Sequence, residues 1–118
     1  MTGVQTCALP ICQAVGQEYD FESNTFNIEH VLPQNPDAGW DNFSDEEVDA
    51  FKYRLGNMTL CETNLNRQLG NEGYSSKREG YKNSEFSLTR ELAEKNQDWN
   101  VRSISERQNW MAKQAISI

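Results

Sequence analysis

The 118 residues of the chain suffice for one domain with a single modest core. Hydrophobic residues make up 36% and charged residues 25%, which excludes a disordered chain and is typical of a globular fold. No apolar run approaches the roughly 20 residues that a membrane-spanning helix requires, and the chain does not begin like a signal peptide. We therefore expect a cytoplasmic protein that makes no contact with a membrane.

The net charge of −7 conceals an uneven distribution of charge along the chain. All 11 lysine and arginine residues lie at or after Lys52, whereas 10 of the 18 acidic residues lie at or before Asp49. The asymmetry permits a basic surface for phosphate contacts on the second half. It is equally compatible with an ordinary acidic surface.

The three cysteines, Cys7, Cys12 and Cys61, favour neither a disulfide framework nor a zinc site. Their number is odd, and no C-x-x-C pair is present. Cys61 lies in an apolar stretch, so we expect it to be a small buried core residue.

The beginning of the chain differs in composition from the rest. Residues from Met1 to Ile11 include no charged residue, and they resemble the translation of a common sequencing adaptor. We interpret residues 1–12 as an artefactual leader and residues 13–118 as one domain, the C-terminal part of a longer natural protein. The alternative is a short natural arm that packs on the domain.

A short strand is predicted at residues 25–28, where polar and apolar residues alternate. It leads to Pro33, which ends regular pairing and begins a loop with turn-forming residues at 35–39. Residues 58–61 are predicted to form a second short strand.

Between these strands, Ser44 and Glu47 form a capping-box pattern that begins a helix. We expect this helix to run to about Arg54 and Gly56 to close it. Its expected buried residues are Val48, Phe51 and Leu55.

Helices are predicted for the remainder of the chain. Their expected ranges are 64–69, 75–82, 87–94 and one from Ser103 toward the C-terminus. Ser75 or Ser76 is the expected cap of the second, and Ser103 with Glu106 forms another capping box. The expected core anchors are Trp40, Trp99 and Trp110. The sequence thus predicts a small α+β domain with two short strands, a helix after the second strand and several packing helices.

The single histidine of the chain, His30, directly follows Glu29 at the end of the first predicted strand. A lone histidine is more often a structural or surface residue than a catalytic one. Neighbours in a regular strand face opposite sides, so both side chains can serve one site only if the strand ends or twists there. Pro33 favours such an end.

The residues around His30 resemble a known family. Residues 26–34, which read Phe-Asn-Ile-Glu-His-Val-Leu-Pro-Gln, are similar to the opening of HNH nuclease domains. In that family, an acidic residue and the catalytic histidine precede two apolar residues, Pro and Gln. Residues 55–60 resemble the family's second strand, with Asn57 as its middle asparagine. Asn66 lies where the family has its last metal-binding residue, on the helix of the finger.

The downstream residues are similar to one branch of this family, the C-terminal domain of GmrSD-type modification-dependent restriction enzymes. They are Leu69, Gly70, Asn71, Tyr74, Lys77, Tyr81, Ser84, Trp99 and Arg107. The resemblance extends from about Asn24 to the C-terminus. It implies a ββα-metal (His-Me finger) core with additional packing helices.

The resemblance also implies roles for three residues in the site. His30 would be the general base, its neutral imidazole taking a proton from water. Glu29 and Asn66 would bind one divalent cation. Oxygen donors of this kind suit Mg²⁺ or Mn²⁺, and an amide in the place of a further histidine makes zinc a poorer fit.

Three further residues support the site in this interpretation. Asn57 would belong to the catalytic set by fixing the loop or the His30 ring through hydrogen bonds. Arg67 and Lys77 are candidate phosphate ligands, for which an ordinary surface charge is an equal alternative.

The resulting hypothesis for residues 13–118 is a metal-dependent DNA endonuclease of HNH type in a modification-dependent restriction or phage-defence system. Its expected partners are DNA and an N-terminal nucleotide-hydrolysing or DNA-recognition domain or subunit. The alternative is a non-catalytic module that keeps the fold and binds nucleic acid or protein. A purely helical interaction domain would make the block around His30 a coincidence. The intact set of Glu29, His30 and Asn66 favours the endonuclease.

Overall fold

Two antiparallel strand pairs and five α-helices form the part of the chain that the structure describes. A computed structural model describes Val4–Gln5, Tyr19–Asp20 and residues 26–116. In chain order its elements are β1 (Val4–Gln5), β2 (Tyr19–Asp20), β3 (Phe26–His30), α1 (Asp45–Phe51), β4 (Met58–Glu62), α2 (Thr63–Leu69), α3 (Tyr74–Tyr81), α4 (Ser87–Lys95) and α5 (Val101–Ile116). β1 pairs with β2 and β3 with β4. The α+β class and the β3–β4 pair agree with the predictions, whereas the β1–β2 pair was not predicted. Cys7, Cys12 and most of the expected leader lie outside the described residues.

The pairing of β3 with β4 runs from Phe26 opposite Glu62 to His30 opposite Met58. β3 extends two residues beyond the predicted strand, so that Glu29 and His30 both belong to it. Helix α2 follows β4 directly and packs against both strands. The predicted order of strand, strand and helix is therefore confirmed.

Helix α1 confirms the first capping box. The Ser44 hydroxyl accepts a hydrogen bond from the Glu47 amide at 3.1 Å, and the Glu47 carboxylate accepts one from the Ser44 amide at 2.9 Å. The helix ends at Phe51 rather than near Arg54, because Arg54 is extended and a 3-10 turn begins after it. The prediction that Leu55 is buried is wrong, since its position on this turn leaves it 47% exposed.

Gly56, in the 3-10 turn Leu55–Asn57, permits a close contact between this turn and α5. A Cβ at Gly56 would lie 2.2 Å from the carbonyl oxygen of Ile104, too close for any other residue. The Gly56 amide donates a hydrogen bond to the Gln108 side chain. Arg107 donates to the carbonyl oxygens of Gly56 and Met58. Helix α5 therefore holds the turn from which β4 starts, and Gly56 does not close α1 as predicted.

The helices between β4 and α5 lie close to their predicted positions. α2 begins one residue before the predicted start and α4 ends one residue after the predicted end. α3 begins at Tyr74 after Gly73, so neither Ser75 nor Ser76 caps it. None of the described helices is both long and apolar enough to cross a membrane.

Helix α5 begins two residues before the predicted start. The Asn100 side chain accepts a hydrogen bond from the Ser103 amide at 2.9 Å, and the Ser103 hydroxyl accepts one from the Asn100 amide at 3.3 Å. Asn100 therefore takes the capping position that the sequence pattern assigns to Ser103. Ser103 itself lies buried inside the helix.

The main hydrophobic core is formed by the loop after β3 and by residues of α2 to α5. Its buried members are Val31, Leu32, Trp40, Phe43, Leu69, Tyr74, Tyr81, Leu92, Ala93, Trp99 and Ile104, with Val48 and Phe51 partly buried against it. Trp40 and Trp99 are confirmed as core anchors, whereas Trp110 is partly buried against a second cluster. Cys61 is buried, as expected. The core thus begins at Val31, directly after His30.

Candidate functional site

A polar cleft of about 290 Å³ lies where β3 ends beside α2. Its lining residues come from β3, the loop that follows it, α2 and the turn after α2. They are Ile28, Glu29, His30, Pro33, Gln34, Asn35, Asn66, Gly70 and Asn71. The structure therefore brings the expected base and the two expected metal ligands to one cleft.

Glu29 and His30 are neighbours in sequence, and both line this cleft. The strand ends at His30. At the next residue, the Val31 amide donates a hydrogen bond of 2.9 Å to the carbonyl oxygen of Asn57. Neighbouring side chains in a regular strand face opposite sides, so both can serve one site only where the strand ends or twists. The end of regular pairing at His30 meets this condition.

The Glu29 carboxylate is held from behind by two buried side chains. The Tyr81 hydroxyl donates a hydrogen bond of 2.7 Å to Oε2 of Glu29. The Lys77 ammonium lies 3.1 Å from the same oxygen. None of the described contacts uses Oε1, although only 4% of Glu29 is exposed. Oε2 is thus occupied inside the protein, whereas Oε1 has no partner among the described residues, and Glu29 lines the cleft.

Lys77 is fully buried, with 0% exposure. Its ammonium donates to the carbonyl oxygens of His30 at 2.9 Å and Val31 at 3.0 Å, in addition to its ion pair with Glu29. Burial lowers the pKa of Lys77, and Glu29 opposes this shift. The prediction that Lys77 binds phosphate does not fit this geometry, because protein acceptors use its donors and solvent does not reach it.

The His30 imidazole is partly buried, and His30 lines the cleft. Burial lowers its pKa from the ordinary value of 6.5, an effect that Glu29 opposes and Lys77 reinforces. The ring meets Tyr53 edge-on, with ring centroids 6.1 Å apart. Among residues 26–116, no hydrogen bond to the imidazole is found. A neutral imidazole with an unused nitrogen is the form that can accept a proton near neutral pH.

Asn57 is buried with 0% exposure and uses its whole amide. Its oxygen accepts hydrogen bonds from the Leu32 amide at 2.8 Å and from the Trp99 indole at 3.0 Å. Its nitrogen donates to the carbonyl oxygens of Leu32 at 2.9 Å and Lys52 at 3.0 Å. Of the two roles that the sequence left open, the contacts match the one in which Asn57 fixes the loop, and they do not include the His30 ring.

Asn66 and Arg67 are adjacent on α2 but differ in position. Asn66 is half-buried and lines the cleft, and its side chain makes no hydrogen bond to another described residue. Arg67 is exposed and does not line the cleft. Asn66 therefore lines the cleft with a side-chain amide that no described residue uses, whereas Arg67 lies exposed beside it.

The comparison with protein families identifies the chain. The model of the C-terminal domain of GmrSD restriction endonucleases matches residues 9–114. The chain belongs to this family. No curated protein matches it. Membership in the GmrSD C-terminal family indicates a nuclease role in restriction, with DNA as the substrate.

The donor atoms in the cleft of this GmrSD C-terminal domain fit a hard cation better than a soft one. No group of three His, Cys, Asp or Glu side chains that could hold a metal occurs in the described part of the chain. Of the two expected ligands, Glu29 has Oε1 and Asn66 has its side-chain amide without a partner among the described residues, and both residues line the cleft. Oxygen donors of this kind suit a hard cation that keeps several waters better than Zn²⁺ in a closed nitrogen and sulfur site.

Sequence reasoning missed the contacts behind and beside Glu29 and His30 in this GmrSD C-terminal domain. Tyr81 and Lys77 belong to the downstream residues that carry the family resemblance, but nothing in their pattern shows that they meet Glu29. Asn35 and Asn71 also line the cleft, and the Asn71 side chain donates to the carbonyl oxygen of Asn35 at 3.1 Å. Asparagines in turns give no signal that separates a cleft lining from an ordinary loop.

Proposed function

We propose that this domain is a metal-dependent nuclease that hydrolyses DNA phosphodiester bonds with His30 as the general base. The observation that carries the proposal is the presence of His30, Glu29 and Asn66 in one polar cleft. These residues come from two elements far apart in the chain, and phosphodiester hydrolysis needs a base for water and a cation for the developing charge.

The arrangement of elements supports the HNH subtype. β3 and β4 are antiparallel, and α2 follows β4 and packs against both strands. The base lies at the end of the first strand and the second cation ligand on the helix. We propose that this unit is a ββα-metal core, to which α3, α4 and α5 add packing.

In the proposed reaction, His30 takes a proton from the attacking water. Its lowered pKa keeps the ring neutral near pH 7, because partial burial disfavours the charged form more than Glu29 favours it. Its ring nitrogens have no hydrogen-bond partner among the described residues, so a nitrogen is available for the proton. A general base must be a proton acceptor that lies in the cleft, and His30 meets both conditions.

Glu29 and Asn66 would hold one divalent cation, Mg²⁺ or Mn²⁺. When bound, such a cation stabilises the negative charge that develops on the phosphate and on the leaving oxygen. Glu29 would contribute Oε1, since Tyr81 and Lys77 occupy Oε2. Asn66 would contribute its amide oxygen from α2.

The cleft is lined by uncharged amides rather than by lysine or arginine. Gln34, Asn35 and Asn71 supply donors that suit phosphate or sugar oxygens. We propose that Arg67, exposed next to Asn66 on α2, contacts a neighbouring phosphate. The domain would then position DNA with few charges, so an N-terminal nucleotide-hydrolysing or DNA-recognition domain or subunit would provide most of the affinity in a cytoplasmic restriction system.

The direct test is cleavage of plasmid DNA, unmodified and modified, by the chain and its variants in Mn²⁺. His30→Ala should lose at least 100-fold in rate while keeping its circular dichroism spectrum, because positioned acid–base catalysis contributes about 10²–10⁴-fold. Asn27→Ala is a matched control, since Asn27 is exposed on the same strand and does not line the cleft.

Two results would contradict the proposal. Cleavage by His30→Ala at the wild-type rate would remove His30 as the base. A wild-type chain that binds DNA and Mn²⁺ but leaves every plasmid intact would favour the non-catalytic module.

A further inference from the structure

A buried polar cluster of Lys77, Tyr81 and Glu29 lies behind the cleft. We infer that Tyr81 and Lys77 are positioning residues that orient the Glu29 carboxylate and fix it relative to His30. The inference rests on the proposed function, since it assigns the arrangement that presents Glu29 to a cation.

Two donors converge on one oxygen of Glu29. The Tyr81 hydroxyl lies 2.7 Å from Oε2, and the Lys77 ammonium lies 3.1 Å from it. Rotation of the carboxylate would break both contacts, and a buried group without its partner is costly. The orientation is therefore fixed with Oε2 toward the interior and Oε1 available to the cleft.

Lys77 also joins this carboxylate to the backbone that carries the base. The same ammonium donates to the carbonyl oxygens of His30 and Val31, at 2.9 Å and 3.0 Å. The Lys77 side chain thus holds both the Glu29 carboxylate and the strand end at His30 in place. Two neighbouring side chains can address one cleft only while that strand end is held in place.

The cluster is built from one face of α3. Lys77 and Tyr81 lie one turn apart on this helix, where side chains four residues apart are neighbours. Both are fully buried. A buried ion pair contributes little to stability compared with apolar residues of similar size. The location of this ion pair directly behind the cleft is better explained by a role in orienting the Glu29 carboxylate than by a contribution to the stability of the fold.

Tyr81→Phe tests the inference with the smallest change, because it removes only the hydroxyl. Partners that orient a metal ligand typically change metal affinity or activity about 10- to 100-fold when removed. We expect Mn²⁺ affinity, measured without DNA by electron paramagnetic resonance, to fall about tenfold. We also expect a lower kcat for plasmid cleavage with an unchanged KM for DNA.

Tyr74→Phe is the matched control at the other end of α3. Tyr74 is also buried, and its hydroxyl donates to the carbonyl oxygen of Asn96 at 2.6 Å rather than to Glu29. The Tyr74→Phe variant should keep the Mn²⁺ affinity and the kcat of the wild type. Equal Mn²⁺ affinity in Tyr81→Phe and the wild type would overturn the inference, and so would an equal loss in both variants.

Lys77→Met tests the link to His30. The chain has a single histidine, so its imidazole gives one set of proton resonances that needs no further assignment. We expect these resonances to shift or broaden in Lys77→Met, and to remain unchanged in Lys82→Met, which alters an exposed lysine just after α3. Unchanged His30 resonances in a folded Lys77→Met would overturn this link, and Tyr81→Phe decides the inference if Lys77→Met does not fold.

These measurements separate the inference from the proposed function. Weaker Mn²⁺ binding by Tyr81→Phe supports the positioning role even if no DNA is cleaved, a result that would reject the nuclease. Cleavage by the wild type together with wild-type Mn²⁺ binding by Tyr81→Phe supports the nuclease and rejects the positioning role.

Discussion

The 3-10 turn before β4 and helix α2 each contribute one asparagine to the neighbourhood of His30, and the two amides are used in opposite ways. Asn57 in the turn is fully buried and makes four hydrogen bonds within the protein. Asn66 on α2 lines the cleft, and its side chain makes no hydrogen bond to another described residue. A saturated amide belongs to the frame of the site, whereas an unused amide facing a cleft is available to a ligand.

The largest expected effect on stability is that of Asn57→Ala. The substitution leaves the Leu32 amide, the Leu32 carbonyl and the Trp99 indole without a partner in a buried place. We expect a loss of about 3–5 kcal/mol in the free energy of unfolding, measured with urea. Wild-type stability with abolished cleavage would instead place Asn57 among the catalytic residues and break the comparison.

Asn66→Ala should show the reverse pattern. Since its amide has no described partner, we expect the free energy of unfolding to change by no more than about 0.5 kcal/mol. Mn²⁺ affinity and cleavage rate should fall about tenfold or more, because a cation ligand is lost. Asn64→Ala, an exposed asparagine on the same helix, is the control. An Asn66→Ala variant that binds Mn²⁺ like the wild type would show that α2 supplies no ligand.

Arg67→Ala should have a smaller effect, confined to DNA binding. Loss of one phosphate contact should weaken binding a few-fold and reduce the slope of log affinity against log salt by about one. Arg102→Ala removes an exposed arginine from α5 and should not change the slope. Identical salt slopes for the two variants would show that Arg67 is an ordinary surface charge that does not contact phosphate.

The smallest effect concerns the protonation of His30. Nuclear magnetic resonance titration of its ring in the metal-free chain should give a pKa below 6.5, because burial disfavours the charged form. As the pH falls through 6.5 toward this pKa, the unfolded chain gains protons first and the folded chain should lose stability. A pKa above 6.5 would show that Glu29 outweighs burial.

Local patterns predicted most elements of the fold. The capping box at Ser44 and Glu47 is a contact within one helix turn, and the alternation around β3 reflects one face of a strand. Predictions failed where contacts with distant parts of the chain determine where a helix begins or ends. α1 stops early because the turn containing Gly56 packs on α5, and Asn100 replaces Ser103 as a cap.

The site was predictable only in part, for a similar reason. The block around His30 and the position of Asn66 carried the resemblance to HNH nucleases, and both residues line the cleft. The burial of Lys77 was not predictable, since lysines are almost always exposed and only the packing of α3 places this one behind Glu29. The two roles open to Asn57 likewise depended on where Trp99 and Leu32 lie.

The central claim, that His30 is the base of a metal-dependent nuclease, is tested most directly by chemical rescue. His30→Gly opens a space for free imidazole in the cleft while Glu29 and Asn66 remain. In single-turnover plasmid cleavage with Mn²⁺, we expect at least a 100-fold loss of rate without imidazole and partial recovery when imidazole is added. A His30→Gly variant that cleaves at the wild-type rate without imidazole would contradict the claim.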